Sequence, residues 1–216
     1  MFVCICVCID LTIIYYNMKR ILRLAIIYTL FSTSLSQDDS CFSLSGSTTC
    51  PAFQEYYISL TGLAAKYPFL QQVTDIKTFD AGMQSFVISP QLYLAPLGCA
   101  NKASVASTIP YARYSLTYMC ATLIQDSSYS LPCNYNKSLS PPPLCQRTCF
   151  DYTASIEDLT NNTDTCPNIL QQRESMANLN SSCLYWSGLN GTYNCILGEA
   201  NEPNNCGKSM IVNITR

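Results

Sequence analysis

Apolar residues recur at helical spacing along several stretches of the chain, with polar segments between them. The first stretch begins at Pro51, which fits the first turn of a helix, and Thr48 or Thr49 is placed to cap it. We therefore expect a helix over 51–60. The apolar positions that predict it are Phe53, Tyr56, Tyr57 and Leu60.

Two further stretches predict helices that turn one face to a core. Thr74 or Asp75 is placed to cap the first of them. Its apolar stripe comprises Ile76, Phe79, Met83 and Phe86. The second stretch, over 111–124, has the most regular period of the chain. Its face comprises Ala112, Leu116, Met119, Cys120 and Leu123, with Ile109 leading into it.

A proline-led segment, SPPPLCQRTCFDYTASIEDL, predicts another helix. Ser140 is placed to cap it, and its prolines fit only the first turn because they have no amide donor. Cys145 and Cys149 then stand at i and i+4, on one helix face. We expect two different disulfides to join that face to the rest of the fold.

The last third of the chain is more polar. We expect a loop over 161–166 and a short helix over 169–179. Residues 184–187 and 192–196 flank Asn190-Gly191, a pair typical of hairpin turns because both residues tolerate positive φ. The pattern thus predicts a mainly α fold with a short β-hairpin near the C-terminus, and a turn-rich stretch over 199–206.

The N-terminus has the pattern of a secretory leader. From Met18, basic residues precede an apolar stretch over 24–31, and Ser34 and Ser36 fit the small positions of a cleavage site before Gln37. We expect a signal peptide over 18–36, a single domain over 37–206 and a tail over 207–216. Residues 1–17 fit an over-extended start, the alternative being a longer apolar leader or a membrane anchor.

The composition points to an oxidising compartment. The chain has 14 Cys and no His among 216 residues, so mixed Cys and His zinc sites are excluded and we expect no metal or cofactor. Only 12% of residues are charged, and the net charge of −2 comes without a basic run. Nucleic acid is therefore not an expected partner.

Removal of the leader would leave eleven cysteines, enough for five disulfides and one further thiol. That thiol could pair with a second chain, lie buried, or show that a later cysteine is missing. The eleven are Cys41, Cys50, Cys99, Cys120, Cys133, Cys145, Cys149, Cys166, Cys183, Cys195 and Cys206. Glycosylation sequons at Asn136, Asn161, Asn180 and Asn190 fit the same compartment, whereas the one at Asn213 lies too near the chain end.

Chemistry without imidazole leaves few catalytic options. Paired carboxylates could hydrolyse a glycan or ester, and the candidate pairs are Glu157 with Asp158 and Asp75 with Asp80. Structural roles explain these carboxylates better: Asp75 fits a helix cap, and Glu157 with Asp158 fit a solvated helix end.

Oxygen ligands for calcium occur at Asp158, Asn161, Asn162 and Asp164, but without the spacing and glycine of a calcium loop. A ligand groove could be lined by Tyr56, Tyr57, Phe79, Phe86 and Tyr118, although most of these should belong to the core.

The order of cysteines and helices resembles a Frizzled-type cysteine-rich domain. The features that carry the resemblance are the close pair Cys41 and Cys50, a helix ending in YSLTYMC at Cys120, and the proline-led C-x-x-x-C helix PPPLCQRTC. The cysteine-rich ectodomain of the fungal stretch-activated calcium-channel accessory subunit is similar in this order and has longer spacers. The resemblance implies a compact helical module in which Cys145 and Cys149 pair with two separate distant partners.

The resemblance also implies a non-catalytic function. We expect a secreted or cell-surface glycoprotein that recognises an extracellular protein or a lipid-modified ligand, and that ligand could be a membrane channel or receptor. Ten residues follow Cys206 and include no apolar run, which fits a free secreted protein or a truncated form of a longer one. Two alternatives stay open: an accessory subunit of a membrane calcium channel, and a carboxylate-dependent secreted hydrolase.

Overall fold

The computed structural model describes residues 41–89, 96–99, 112–161, 166–191 and 193–205. The predicted leader, the tail and Cys206 lie outside the described residues. Strands are β1 (Cys41–Ser43), β2 (Tyr57–Ser59), β3 (Leu144–Cys145) and β4 (Leu189–Asn190). Helices are α1 (Leu60–Leu63), α2 (Ile76–Val87), α3 (Ser115–Ile124), α4 (Ser130–Asn136), α5 (Gln146–Thr160), α6 (Ile169–Tyr185) and α7 (Gly198–Asn201). The fold is mainly helical, as predicted.

Three predicted helices form close to their expected positions. Asp75 caps α2 through a capping box, in which its side chain accepts from Thr78 N and Thr78 in turn binds the Asp75 backbone. Helices α2 and α3 pack their apolar faces into the main core. Phe53, of the 3₁₀ turn Pro51–Phe53, belongs to the same core. Helix α6 begins at the expected residue but continues to Tyr185, beyond the predicted end.

The prediction of a helix over 51–60 is wrong. Pro51–Phe53 forms one 3₁₀ turn, and the chain then enters β2, which pairs antiparallel with β1. Asn134 holds the backbone of Tyr57 from the side: its Oδ1 accepts from Tyr57 N at 2.9 Å and its Nδ2 donates to Tyr57 O at 2.8 Å. These non-local hydrogen bonds occupy backbone groups that a helix would need, so the local spacing does not decide the structure.

The predicted C-terminal hairpin is also wrong, and the antiparallel pair of strands lies near the N-terminal end of the domain instead. Residues 184–185 are still in α6, and Asn190 belongs to β4, which pairs in parallel with β3. Gly191 is outside the left-handed φ region. Leu144 N donates to Gly188 O at 2.8 Å and Ile196 N to Pro143 O at 2.8 Å, so both sides of the loop bind the β3 region rather than each other.

Helix α5 starts later than its prolines predicted. Cys145, not Ser140, occupies the position before the helix, and Pro141–Pro143 remain outside it. The carbonyls of Pro141 and Pro142 accept from Gln125 Nε2 at 3.1 and 2.9 Å, which fixes the proline segment against the end of α3. Cys145 is therefore in β3, and Cys149 alone of the pair is inside the helix.

Five disulfides join the elements. They are Cys41–Cys133, Cys50–Cys120, Cys99–Cys166, Cys145–Cys195 and Cys149–Cys183. If the cysteines are numbered in chain order from Cys41, the first pairs with the fifth, the second with the fourth, the third with the eighth, the sixth with the tenth and the seventh with the ninth. Cys145 and Cys149 thus pair with two different partners. No described helix is long and apolar enough to cross a membrane.

The stretch 198–205 is held against the core by polar side chains. Asn201 accepts from Ala52 N at 3.1 Å and donates to Thr49 O at 3.0 Å. Glu202 is buried and accepts from Thr117 N at 2.7 Å and Thr117 Oγ1 at 2.6 Å, at the start of α3. Because Tyr114, which precedes α3, gives that helix no side-chain cap, Glu202 supplies one from 85 residues away.

Candidate functional site

A groove between α3, α5 and α6 encloses a cavity of about 470 Å³. We call it the α3–α5–α6 groove. It is lined by Pro96, Leu97, Tyr118, Tyr152, Ile156, Ser175, Asn178, Leu179 and Ser182. No charged side chain occurs among these lining residues. The groove therefore offers apolar and neutral polar contacts only.

Two tyrosines form the aromatic part of the groove. Tyr118 of α3 and Tyr152 of α5 stack with ring centroids 4.4 Å apart and an angle of 17° between planes. Trp186 also lies near Tyr118, with ring centroids 6.0 Å apart and an angle of 51° between planes. Burial raises the pKa of Tyr118 above its usual value, partly offset by a hydrogen bond with Ser182. The ring is therefore neutral at any physiological pH and cannot add charge to the groove.

The polar edge of the groove comes from one face of α6. Ser175, Asn178 and Ser182 stand at i, i+3 and i+7, and Leu179 lies between them. Ser175 Oγ donates to Pro96 O at 3.1 Å and Ser182 Oγ to Leu179 O at 2.6 Å. Asn178 is exposed and has its amide available to solvent at the rim. The groove is thus amphipathic, with apolar walls and one edge of neutral hydrogen-bonding groups.

Disulfides fix the walls of the groove. Cys149–Cys183 joins α5 to α6, and Cys99–Cys166 joins the short stretch 96–99 to the residues before α6. Gly98 has a φ of 71°, and a Cβ there would lie 2.3 Å from the Gln171 side chain. Only glycine combines this backbone with so close an approach, so Gly98 sets the position of Leu97 in the groove wall.

Of the aromatic residues predicted to line a groove, Tyr118 alone does so. Phe79 is completely buried, and Phe86 packs against Phe69 and Tyr67 in the main core. Tyr57 lies in β2 beneath Lys137. The two wall residues of α5, Tyr152 and Ile156, were missed, although they form an i, i+3, i+7 stripe with Cys149 that marks the inner face of α5.

The carboxylates proposed for catalysis take structural positions. Asp75 is the exposed cap of α2, and its hydrogen bonds from Thr78 lower its pKa. Burial would raise the pKa of Asp80, but hydrogen bonds from Ser47, Thr48 and Thr49 together lower it below the usual value. Their Oγ atoms lie 2.6, 2.7 and 2.7 Å from its carboxylate. Asp80 thus fixes the stretch 47–49 against α2.

The other two carboxylates proposed for catalysis, Glu157 and Asp158, lie in the C-terminal half of α5. Glu157 and Asp158 are exposed on that helix, and Asn161 is exposed at its end. Asn162 and Asp164 lie outside the described residues. Among the residues that the structure describes, no group of three or more acidic or cysteine side chains is arranged to hold a metal ion.

The four predicted glycosylation sites differ in accessibility. Asn136 at the end of α4, Asn161 and Asn190 are exposed, whereas Asn180 is half-buried within α6. Glycosylation stays a prediction at each of them.

A second, smaller cavity of about 250 Å³ lies between α2 and α3, lined by Gln84, Val87, Ile88 and Leu116.

Comparisons with protein-family models, with curated proteins and with solved structures each find no match. The geometry of the α3–α5–α6 groove and the disulfide pattern therefore carry the functional argument.

Proposed function

We propose that the chain is a secreted or cell-surface, non-catalytic binding module of the Frizzled type. Its α3–α5–α6 groove receives an uncharged, apolar group of an extracellular protein or of a lipid-bearing ligand. The observation that carries this proposal is the lining itself: about 470 Å³ bounded by stacked tyrosines, aliphatic side chains and neutral polar groups. A charged ligand group would lose its hydration there without gaining a partner.

Two features support the type of module. The proline-led C-x-x-x-C segment has its two cysteines tied to separate distant partners, Cys195 and Cys183, which is what the Frizzled resemblance implies. Five disulfides in one domain are characteristic of exported proteins, because reducing compartments do not maintain them. A rigid, cross-linked scaffold also presents a groove at a low entropic cost of binding.

The experiment uses the fluorescence of Trp186, the single tryptophan of the chain, which lies beside the groove. Diphenylhexatriene, a neutral apolar dye that accepts energy from tryptophan, is titrated into the purified secreted protein. We expect saturable quenching of Trp186 with one site per chain. Asn178→Arg places a charged side chain at the groove rim and should weaken dye binding by about tenfold, or ~1.4 kcal/mol.

Ala177→Arg is the matched control. Ala177 is exposed on the same helix and does not line the groove, so the same added charge should leave dye binding unchanged. Both variants should keep the far-UV circular dichroism of the unmodified chain. The proposal fails if the dye does not quench Trp186 saturably, or if the two arginine variants weaken binding equally.

A further inference from the structure

The Asn190-Gly191 pair has a chemistry that the fold does not use. It is the only Asn-Gly pair in the sequence, and it does not form the hairpin turn that such pairs favour. Asn190 and Gly191 are both exposed at the end of β4, so water and hydroxide reach them. The other asparagines of the chain precede residues with a side chain, which shields their following amide nitrogen.

The geometry brings the reacting atoms together. Gly191 N lies 2.7 Å from Asn190 Oδ1, so the side-chain amide carbon, one bond from Oδ1, lies beside the backbone nitrogen that follows it. Asn190 Nδ2 donates to Tyr193 O at 2.8 Å, which keeps the carbonyl of the amide turned toward Gly191. A Cβ on Gly191 would meet no atom within 4 Å, so the neighbourhood does not obstruct the approach.

We propose that Asn190 is a deamidation site in every molecule where it carries no glycan. The Gly191 backbone nitrogen gives its proton to hydroxide and attacks Cγ of Asn190. The new N–C bond forms, the Cγ–Nδ2 bond breaks, and Nδ2 leaves as ammonia with a proton taken from water. The resulting succinimide is opened by water at either carbonyl, which yields aspartate or isoaspartate at position 190.

The same nitrogen atom, Nδ2, is the acceptor of the Asn190-Gly191-Thr192 sequon. A glycan on Nδ2 crowds Cγ and replaces ammonia by a bulky leaving group, so it protects the site. Deamidation in turn removes Nδ2 and with it the acceptor. Glycosylation and deamidation of Asn190 therefore exclude each other, and whichever reaction occurs first prevents the other.

The product would change the contact between β3 and β4. Asn190 stands opposite Cys145 in that pair, next to the Cys145–Cys195 disulfide. Aspartate adds a negative charge there, and isoaspartate adds a methylene to the backbone of a strand held at both ends. Deamidation thus marks aged molecules at one defined place in the fold.

The test compares three forms of the secreted full chain: the unmodified chain, Thr192→Ala and Gly191→Ala. Each form is treated with endoglycosidase H and then kept at pH 8 and 37 °C. Tandem mass spectrometry assigns a gain of one dalton to position 190, and a surviving N-acetylglucosamine marks glycosylated molecules. Thr192→Ala removes the sequon and keeps Asn-Gly, and it should deamidate in most molecules. Gly191→Ala keeps the sequon and should deamidate severalfold more slowly, because a Cβ hinders the attacking nitrogen.

Asn178, which lies in the same tryptic peptide and outside any sequon, serves as the internal reference since Leu179 follows it. We expect the gain at position 190 to exceed that at Asn178 in the Thr192→Ala form, with aspartate and isoaspartate both present. The proposal is overturned if Asn190 of that folded form deamidates no faster than Asn178. It is also overturned if the fraction of molecules that carry N-acetylglucosamine at position 190 falls during the incubation as fast as the unglycosylated fraction deamidates.

Discussion

Single buried groups show how polar contacts position the apolar core. The Asp80 carboxylate accepts hydrogen bonds from three consecutive residues, 47–49, and Thr48 N also donates to it at 2.7 Å. Its partners lie more than thirty positions away in sequence, so no local pattern announces the contact. Asp80 is thereby a structural anchor for the residues that lead to Cys50 and its disulfide.

Asp80→Asn should destabilise the fold by about 1 to 3 kcal/mol at pH 7, because an amide group turns a donor toward hydroxyls that had a carboxylate acceptor. The pKa of Asp80 is lowered in the folded chain, so its contribution is present above the unfolded pKa and is lost as pH falls through the folded pKa. Urea unfolding should therefore show the deficit of Asp80→Asn at pH 7 and a smaller one in acid. Asp75→Asn is the control and should lose little, since Asn also caps helices. Equal stability of Asp80→Asn and the unmodified chain at pH 7 would refute this role.

Gly198 is required for a different reason, which is the space that Tyr114 occupies. A Cβ at Gly198 would lie 2.5 Å from the Tyr114 ring, and that ring is 1% exposed and cannot move aside. Gly198→Ala should cost about 1 to 3 kcal/mol through overpacking. Thermal unfolding measures it against Gly191→Ala, where nothing lies within 4 Å and no loss is expected. Identical melting temperatures for the two variants would contradict the contact.

At the scale of elements, sequence reasoning succeeded where local chemistry decides. The cap of α2 was predictable because Asp75 and the helix that it caps are neighbours in the chain. Helix α3 was predictable because its regular apolar stripe packs into the core. Sequence reasoning failed where distant groups compete with local ones. Hydrogen bonds with Asn134 hold the backbone of Tyr57 in β2, where a helix was expected. Strand β4 pairs with β3 and does not form the hairpin that Asn190-Gly191 favours. Most of the groove lining escaped prediction because its residues come from three helices and the stretch 96–99, and their alignment depends on the disulfide pairing.

Helix α3 gives an element-scale prediction through its remote cap. Burial raises the pKa of Glu202, with hydrogen bonds from Thr117 and Asn205 acting in the opposite direction. The contribution of Glu202 is therefore fully present below its unfolded pKa and is lost as pH rises through the folded pKa. Glu202→Gln keeps an acceptor for Thr117 without the charge, so its stability relative to the unmodified chain should increase from pH 4 to pH 8. Urea unfolding across that range measures the difference.

Glu202→Ala is the companion variant, because it removes the acceptor as well as the charge. It should be less stable than Glu202→Gln at every pH by about 1 to 2 kcal/mol, the usual cost of a lost helix cap. A pH-independent difference between Glu202→Gln and the unmodified chain would contradict the raised pKa. Equal stability of the two variants would contradict the cap.

At the scale of the whole molecule, the disulfides determine which surfaces come together. They close chain segments that span from 34 to 92 positions, and each is expected to stabilise the fold by about 2 to 4 kcal/mol. The cysteine count alone predicted a stapled extracellular-type domain, and the i, i+4 spacing predicted separate partners for Cys145 and Cys149. The full pairing could not be read from the sequence, because ten cysteines admit many connectivities.

The central claim is that an oxidised scaffold with this pairing builds the α3–α5–α6 groove. Disulfide mapping of the secreted, unreduced protein by mass spectrometry after proteolysis tests it most directly. The structure predicts linked peptides for Cys41–Cys133, Cys50–Cys120, Cys99–Cys166, Cys145–Cys195 and Cys149–Cys183. Free thiols at these positions in folded protein, or a direct link between Cys145 and Cys149, would contradict the account.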